Sequence, residues 1–233
     1  MKATFLPDGT QTWFLVEDLD PSLYTAAERL GYKPTPKGGH GRAFPSDTPH
    51  LDVIYANFAA SVEPLILQKA GRLPVPWEEA LEAFLQRVSA FPINWWLTGS
   101  SALAVCGIPI IPGDIDIVTS TISDGLRLDQ IFQESITEPV HSSWVANRVT
   151  RTFLGARVGW IADLKQEHAA EAGLLEAGQH LQRVTWHKYT ILVPPPKLQL
   201  TMNERRGRTD RVEYIREWLR QRQAAEGSQV SRT

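Results

Sequence analysis

The chain has 233 residues, 42% of them hydrophobic, with a net charge of −2, which allows a substantial core, as one domain with an appendage or two small ones, and leaves any nucleic-acid contact to local patches rather than bulk charge. A single cysteine, Cys106, excludes a disulfide framework and a Cys-based zinc site, and the six histidines fall at no metal-ligand spacing. No apolar run approaches a membrane span and no basic-then-apolar leader is present, so neither a span nor a signal peptide is expected and the cytoplasm is the default location.

In chain order, Thr10 to Val16 (TQTWFLV) reads as a strand, and Asp20-Pro21 opens a helix that runs to Leu30-Gly31. Lys33 to Phe44 is a Pro- and Gly-rich loop. Its Gly38-Gly39-His40-Gly41-Arg42 run has glycines suited to cradling a phosphate but lacks the Lys-Ser/Thr ending of a P-loop. Behind Thr48-Pro49, Leu51, Ile54, Tyr55, Phe58 and Val62 recur at helical spacing. Residues 1–72 thus read as an N-terminal α/β extension whose role no motif discloses. The middle part, residues 73–193, opens with a helix from Trp77 to Val88 that is apolar at Leu81, Phe84, Leu85 and Val88. It closes with a strand from Thr185 to Val193. After Pro194-Pro195-Pro196, residues 194–223 form a C-terminal helical segment with Val212, Ile215 and Leu219 on one face, and residues 224–233 read as a flexible tail. Of the eight tryptophans, Trp95, Trp96 and Trp218 read as core, whereas Trp144 and Trp186 are not placed by pattern.

The chemistry is concentrated in Leu97 to Val118 (LTGSSALAVCGIPIIPGDIDIV). Ile93 to Leu97 is a short apolar run that ends in a turn at Gly99, where a side chain would obstruct the bend. Ser100 or Ser101 caps a helix from Ser101 to Cys106, closed by Gly107. A helix opening behind a Gly-Ser turn directs unpaired N–H groups and a hydroxyl at one spot, which suits a phosphate. Asp114-Ile115-Asp116-Ile117-Val118 then alternates as a strand does, with both carboxylates on one face. Adjacent carboxylates repel unless a cation holds them, and a hard divalent ion such as Mg2+ matches that oxygen set.

Gly99-Ser100, thirteen intervening residues and then Asp114-Ile115-Asp116 resemble the nucleotidyltransferase superfamily typified by DNA polymerase beta, whose small bacterial members include antibiotic-modifying and toxin-type enzymes. The resemblance implies an α/β (α+β) fold with a mixed-sheet core. It further implies Mg2+ as cofactor, bound by Asp114 and Asp116, and a nucleoside triphosphate, ATP first among them, as substrate, its phosphates held at Gly99, Ser100 and Ser101. A second stretch, Pro194 to Ile215, resembles the helix, basic turn and Asp-headed last helix that small members carry after the sheet. It adds Arg206, Arg208 and Asp210 as phosphate-side residues and Lys197 as a catalytic cation. Asp210 with Glu213 also reads as a capping box, and Arg205, Arg206, Arg208 and Arg211 as a solvated charge run.

The family's third carboxylate has no direct counterpart, because relatives often read Val-Glu-Trp-Ile where this chain has Val158-Gly159-Trp160-Ile161. Asp163 shares the face of Gly159 but stands about 13 Å further along the strand; either it serves as the base through a bend at Gly159 or the base comes from elsewhere. The expected activity is transfer of a nucleoside monophosphate to a hydroxyl acceptor, either a small molecule or an RNA or protein group, with an antitoxin-like protein as a further partner of toxin-type members. The alternative is a catalytically degenerate module of the same fold that binds nucleotide or a partner.

Overall fold

The structure, a computed structural model, describes residues 1–230, with side chains through residue 225. The N-terminal part folds around its own antiparallel sheet. β1 (Lys2–Asp8) and β2 (Gln11–Glu17) form a hairpin, β3 (Lys33–Pro34) and β4 (His40–Pro45) add to it, and the order is β1-β2-β4-β3. Asp20 caps a short 3-10 turn by accepting from the Ser22 N–H at 2.8 Å, and α1 (Tyr24–Leu30) follows, ending at a left-handed Gly31. α2 (Leu51–Lys69) lays Ile54, Phe58, Val62 and Ile66 against Phe14 and Phe44 of the sheet.

Part of the expected loop over 33–44 is therefore strand. The glycine that misleads is Gly41, where a Cβ would come within 2.3 Å of the Phe14 carbonyl oxygen. It is there for close strand packing, not for a turn. β1 (KATFLPD) lacks a clean alternation of apolar residues, with Phe5 and Leu6 side by side and Pro7 after them, which is why pattern alone does not find it.

The central sheet has the order β5-β6-β9-β8-β7: β5 (Trp95–Thr98), β6 (Ile115–Thr119), β9 (Arg157–Leu164), β8 (Ala146–Phe153) and β7 (Ile136–His141). β6 and β9 are parallel and the other pairs antiparallel. On one face, Ile115, Ile117, Val158 and Trp160 pack against α3 (Trp77–Val88) and α5 (Ile122–Ile131). Leu81 and Phe84 of α3 are fully buried there, and each such side chain contributes about 1.5–3 kcal/mol. The opposite face carries Trp96, Val118 and Ile161, covered by α6 (Gln166–Glu171), α7 (Leu174–Gln179) and Met202. This second cover is partial, and Asp116 lies on its side of the sheet.

The expected strand over 185–193 is half of a hairpin, β10 (Gln182–Trp186) and β11 (Tyr189–Val193), whose turn puts His187 at φ 49°. The turn lacks the Gly or Asn that ordinarily announces such a bend. α8 (Pro196–Arg205) and α9 (Thr209–Val230) complete the chain, with Ile215 of α9 buried against Leu103 and Ile108. Residues 224–230 of the expected tail thus continue the last helix, and 231–233 lie outside the described residues. Among the described residues no helix is long and apolar enough to cross a membrane.

Candidate functional site

β5 delivers the chain to Gly99 beside β6, where Thr98 is the register partner of Asp116. Gly99 turns with φ +68°, and a Cβ at that position would stand 2.7 Å from Asp116 Oδ2. Both the sign of φ and the contact exclude a side chain. The turn therefore brings the start of α4 (Gly99–Val105) directly against the carboxylate. Ser101 is fully buried and donates to the Thr98 carbonyl at 3.1 Å, which closes the turn. Ser100 is buried as well, but its hydroxyl has no hydrogen-bond partner. An orphaned buried hydroxyl is costly unless a ligand completes it.

Asp116 opens onto a cleft of about 380 Å³ lined by Thr98, Gly99, Arg151, Arg157, Arg206 and Arg208 on its polar side. The side chain is exposed to the cleft while protein surrounds it on its other sides. Its carboxyl is pushed up to about 6, by burial first and then by the charge of Asp114. Asp114 faces a smaller pocket that shares Arg157 with the cleft. Arg157 Nη2 donates to Asp114 Oδ2 at 2.5 Å. Burial alone would raise the Asp114 carboxyl, but the charge and hydrogen bond of Arg157 outweigh it and hold the group below its usual range.

β-sheet register explains the remaining wall. Asp116 on β6 neighbours Gly159 on β9, Gly159 pairs with Arg151 on β8, and Arg151 pairs with Glu138 on β7, so four strands contribute one row. Glu138 is buried and accepts from Arg151 Nη1 at 2.8 Å, Arg42 Nη1 at 2.5 Å and Tyr32 Oη at 3.0 Å. Two of those donors come from the N-terminal part. From the other side, the α8–α9 connection supplies Arg206 and Arg208 to the cleft, and the charge of Arg211 reaches both aspartates. Arg206 also donates to the Ala172 carbonyl at 2.8 Å. Burial first and then the neighbouring Arg208 pull the Arg206 and Arg211 guanidinium groups below their ordinary values, against the opposing pull of Asp116 on both.

Gly99, Asp116, Arg206 and Arg208 thus line one cleft; Ser100 is buried in the turn beside it, Ser101 braces that turn, and Asp114 faces the adjoining pocket across Arg157. Three expected residues do not join them. Asp163, next to last in β9, is in a left-handed conformation (φ 55°), accepts from Asn147 Nδ2 at 3.0 Å and is not among the cleft residues. No bend occurs at Gly159, which stays in regular register, so the offset along the strand persists. Lys197 lines a separate groove with Cys106, Arg183, Trp218 and Arg222. Asp210 is exposed in the first turn of α9 and is not among the cleft residues; the helix opens at Thr209, one position before it. The Gly38–Arg42 run delivers Arg42 to Glu138 and takes no part in the cleft.

Sequence reasoning missed Arg151, Arg157 and Glu138. The signal present was β-branched alternation in Val149-Thr150-Arg151-Thr152, which marks a strand. A divalent ion is tested by the donors themselves. Among the described residues no three His, Cys, Asp or Glu groups cluster, yet two carboxylates, one of them without a side-chain donor, fit a hard cation that takes its other ligands from water and phosphate.

No protein-family model matches the chain, and no curated protein matches it. Among solved structures it is similar to a "putative nucleotidyltransferase" from Thermotoga maritima, at 21% identity over 60% of this chain and 91% of that one, TM-score 0.45. It is also similar to an antigenic nucleotidyltransferase-like protein from Paracoccidioides brasiliensis, at 12% identity over 61% of this chain and 78% of that one, TM-score 0.42.

Proposed function

We propose that the chain is a Mg2+-dependent nucleotidyltransferase that moves a nucleoside monophosphate from a nucleoside triphosphate, ATP first among them, to a hydroxyl acceptor. The observation that carries this reading is the contact of the Gly99 turn with Asp116, which leaves a carboxylate without a side-chain donor on a cleft walled by arginines, with the orphaned Ser100 hydroxyl buried in the same turn. Asp114 and Asp116 are the residues that would hold Mg2+, and the bound ion would stabilise charge at the transferred phosphorus. Ser100 donates to the terminal phosphates, and Arg206, Arg208 and Arg211 offset the charge of the triphosphate. The acceptor oxygen bonds to the α-phosphorus as that atom's bond to the bridging oxygen of pyrophosphate breaks. The acceptor's proton leaves to solvent through the mouth of the cleft, because Asp163 lies outside it.

The acceptor is a small hydroxylated molecule or an RNA or protein group. The test is label transfer: purified chain, Mg2+ and each α-phosphate-labelled triphosphate, offered a cell extract divided into RNA, protein and small-molecule fractions, with Asp116→Ala as control. Label in one fraction, lost in the variant, supports the reading and names the acceptor class; label that persists in Asp116→Ala refutes it. A second reading, a degenerate nucleotide-binding module, is favoured by Gly159 and by the engagement of Asp114 with Arg157. Triphosphate bound with Mg2+ but no transfer into any fraction would select it.

A further inference from the structure

The cleft changes character along its strands. Just before β6 begins, Asp114 accepts from Arg157; one row of the sheet then holds Asp116, Gly159 and Arg151, and the next Val118, Ile161 and Val149. Successive same-face rows are about 6.6 Å apart, two residues of strand. Within two rows the wall passes from carboxylates and guanidinium groups to aliphatic side chains. Leu174 and Val145 extend the aliphatic wall, and the indole of Trp144 stands at its rim with 58% of its surface open to solvent.

An indole that exposed belongs, by default, to a wandering loop. Here the loop is braced. Ser143 Oγ accepts from the Val145 and Ala146 N–H groups at 3.3 and 3.2 Å, the Lys165 N–H donates to the Val145 carbonyl at 3.0 Å, and Lys165 Nζ donates to the Ser143 carbonyl at 2.6 Å and to Ser142 Oγ at 2.9 Å. The His168 ring meets the indole at 6.1 Å between centroids, tilted 61°. The ring is presented, rather than merely left outside.

We propose that Trp144, with Val145, Val149, Ile161 and Leu174, forms a nucleobase subsite, and that the base of the triphosphate stacks on the indole while its phosphates lie toward Ser100 and the arginines. The inference rests on the nucleotide reading above and adds the residue that grips the base. A platform of this kind is indifferent to hydrogen-bond pattern, since every base presents a π-face, so discrimination among the four bases is weak.

Calorimetric titration of the full chain with Mg2+ complexes of ATP, CTP, GTP, UTP and inorganic tripolyphosphate tests it, in the natural sequence and in Trp144→Ala and Trp144→Phe. Nucleotides bind more tightly than tripolyphosphate in the natural chain. Trp144→Ala weakens the nucleotides by about five- to a hundredfold with tripolyphosphate unchanged, and Trp144→Phe restores most of the difference. The subsite is overturned if the natural chain binds tripolyphosphate as tightly as nucleotides. It is equally overturned if Trp144→Ala leaves nucleotide binding intact or weakens both ligand types alike. A natural chain that binds none of the five instead removes the nucleotide reading on which the subsite depends.

Discussion

Asp116 and Glu138 occupy one row of the central sheet, separated by Gly159 and Arg151 and by about 14 Å of strand spacing. Burial acts on both in the same direction, toward the neutral acid. At Glu138 the charges of Arg151 and Arg42 overcome it and the carboxyl falls to about 2; at Asp116 the charge of Asp114 adds to it and the carboxyl rises to about 6. Glu138 has three donors, and no side chain among the described residues donates to Asp116. The difference separates two kinds of buried charge in one sheet: Glu138 is satisfied inside the chain, whereas Asp116 is left without a side-chain donor, the condition under which a perturbed carboxyl becomes a candidate site residue.

The largest expected effect separates activity from stability at the unsatisfied end. Asp116→Asn should lower label transfer by roughly a hundredfold or more, yet raise the melting temperature at pH 7.5 without divalent ions, because it deletes a repelled charge. A variant that loses activity and also melts lower would place Asp116 with Glu138 as a structural group. Next, Glu138→Gln removes the anion and leaves Arg42 and Arg151 facing one another; unfolding by urea should record a loss of about 3–5 kcal/mol.

The two carboxyls also predict opposite pH limbs. The folded value of Asp116, about 6, lies above its ordinary 3.8, so its ionisation opposes folding and stability falls as pH rises through that interval. The folded value of Glu138, about 2, lies below its ordinary 4.5, so its contribution is complete above 4.5 and is lost as pH falls toward 2. Thermal melts of the metal-free chain across pH 2–8 should show both limbs, and Asp116→Asn should erase only the upper one. Gly99→Ala comes next, costing about 1–3 kcal/mol for a left-handed alanine and pressing its Cβ on Asp116; a melt unchanged from the natural chain would contradict that contact. Smallest is Gly159→Glu. The nearest atoms to a Cβ there are 3.7 and 3.8 Å away, so stability should move by no more than about 0.5 kcal/mol while Mn2+ binding, followed by electron paramagnetic resonance, tightens.

The locus around Asp116 was legible in the sequence because its parts are local. Gly99, Ser100, Asp114 and Asp116 lie within eighteen positions, and strand alternation alone aligns the aspartates. The opposite end of the row was not. Tyr32 and Glu138 are 106 positions apart and Arg42 and Glu138 are 96, and β7 reads Ile-Thr-Glu-Pro-Val-His, with two register shifts against β8 that blur its period. Lys197 shows the limit of spacing arguments in another way. It lies in the expected stretch, but α8 carries it to a different groove, and helical phase rather than count decides which surface a residue serves. Trp144 had no pattern to place it, since its position depends on a Lys165 brace that only the folded sheet assembles.

The Tyr32 and Arg42 bonds to Glu138 bear on how this chain could be divided. A fragment starting at residue 73 would retain α3, the central sheet and both aspartates. It would also carry Glu138 with one of its three donors and the Ile136 edge of β7 stripped of the Asn57 bonds that cover it. The first 72 residues supply two of the three donors that neutralise Glu138, so a shortened chain in which Glu138 and Arg151 are both replaced by apolar residues should be more stable than one that keeps the pair.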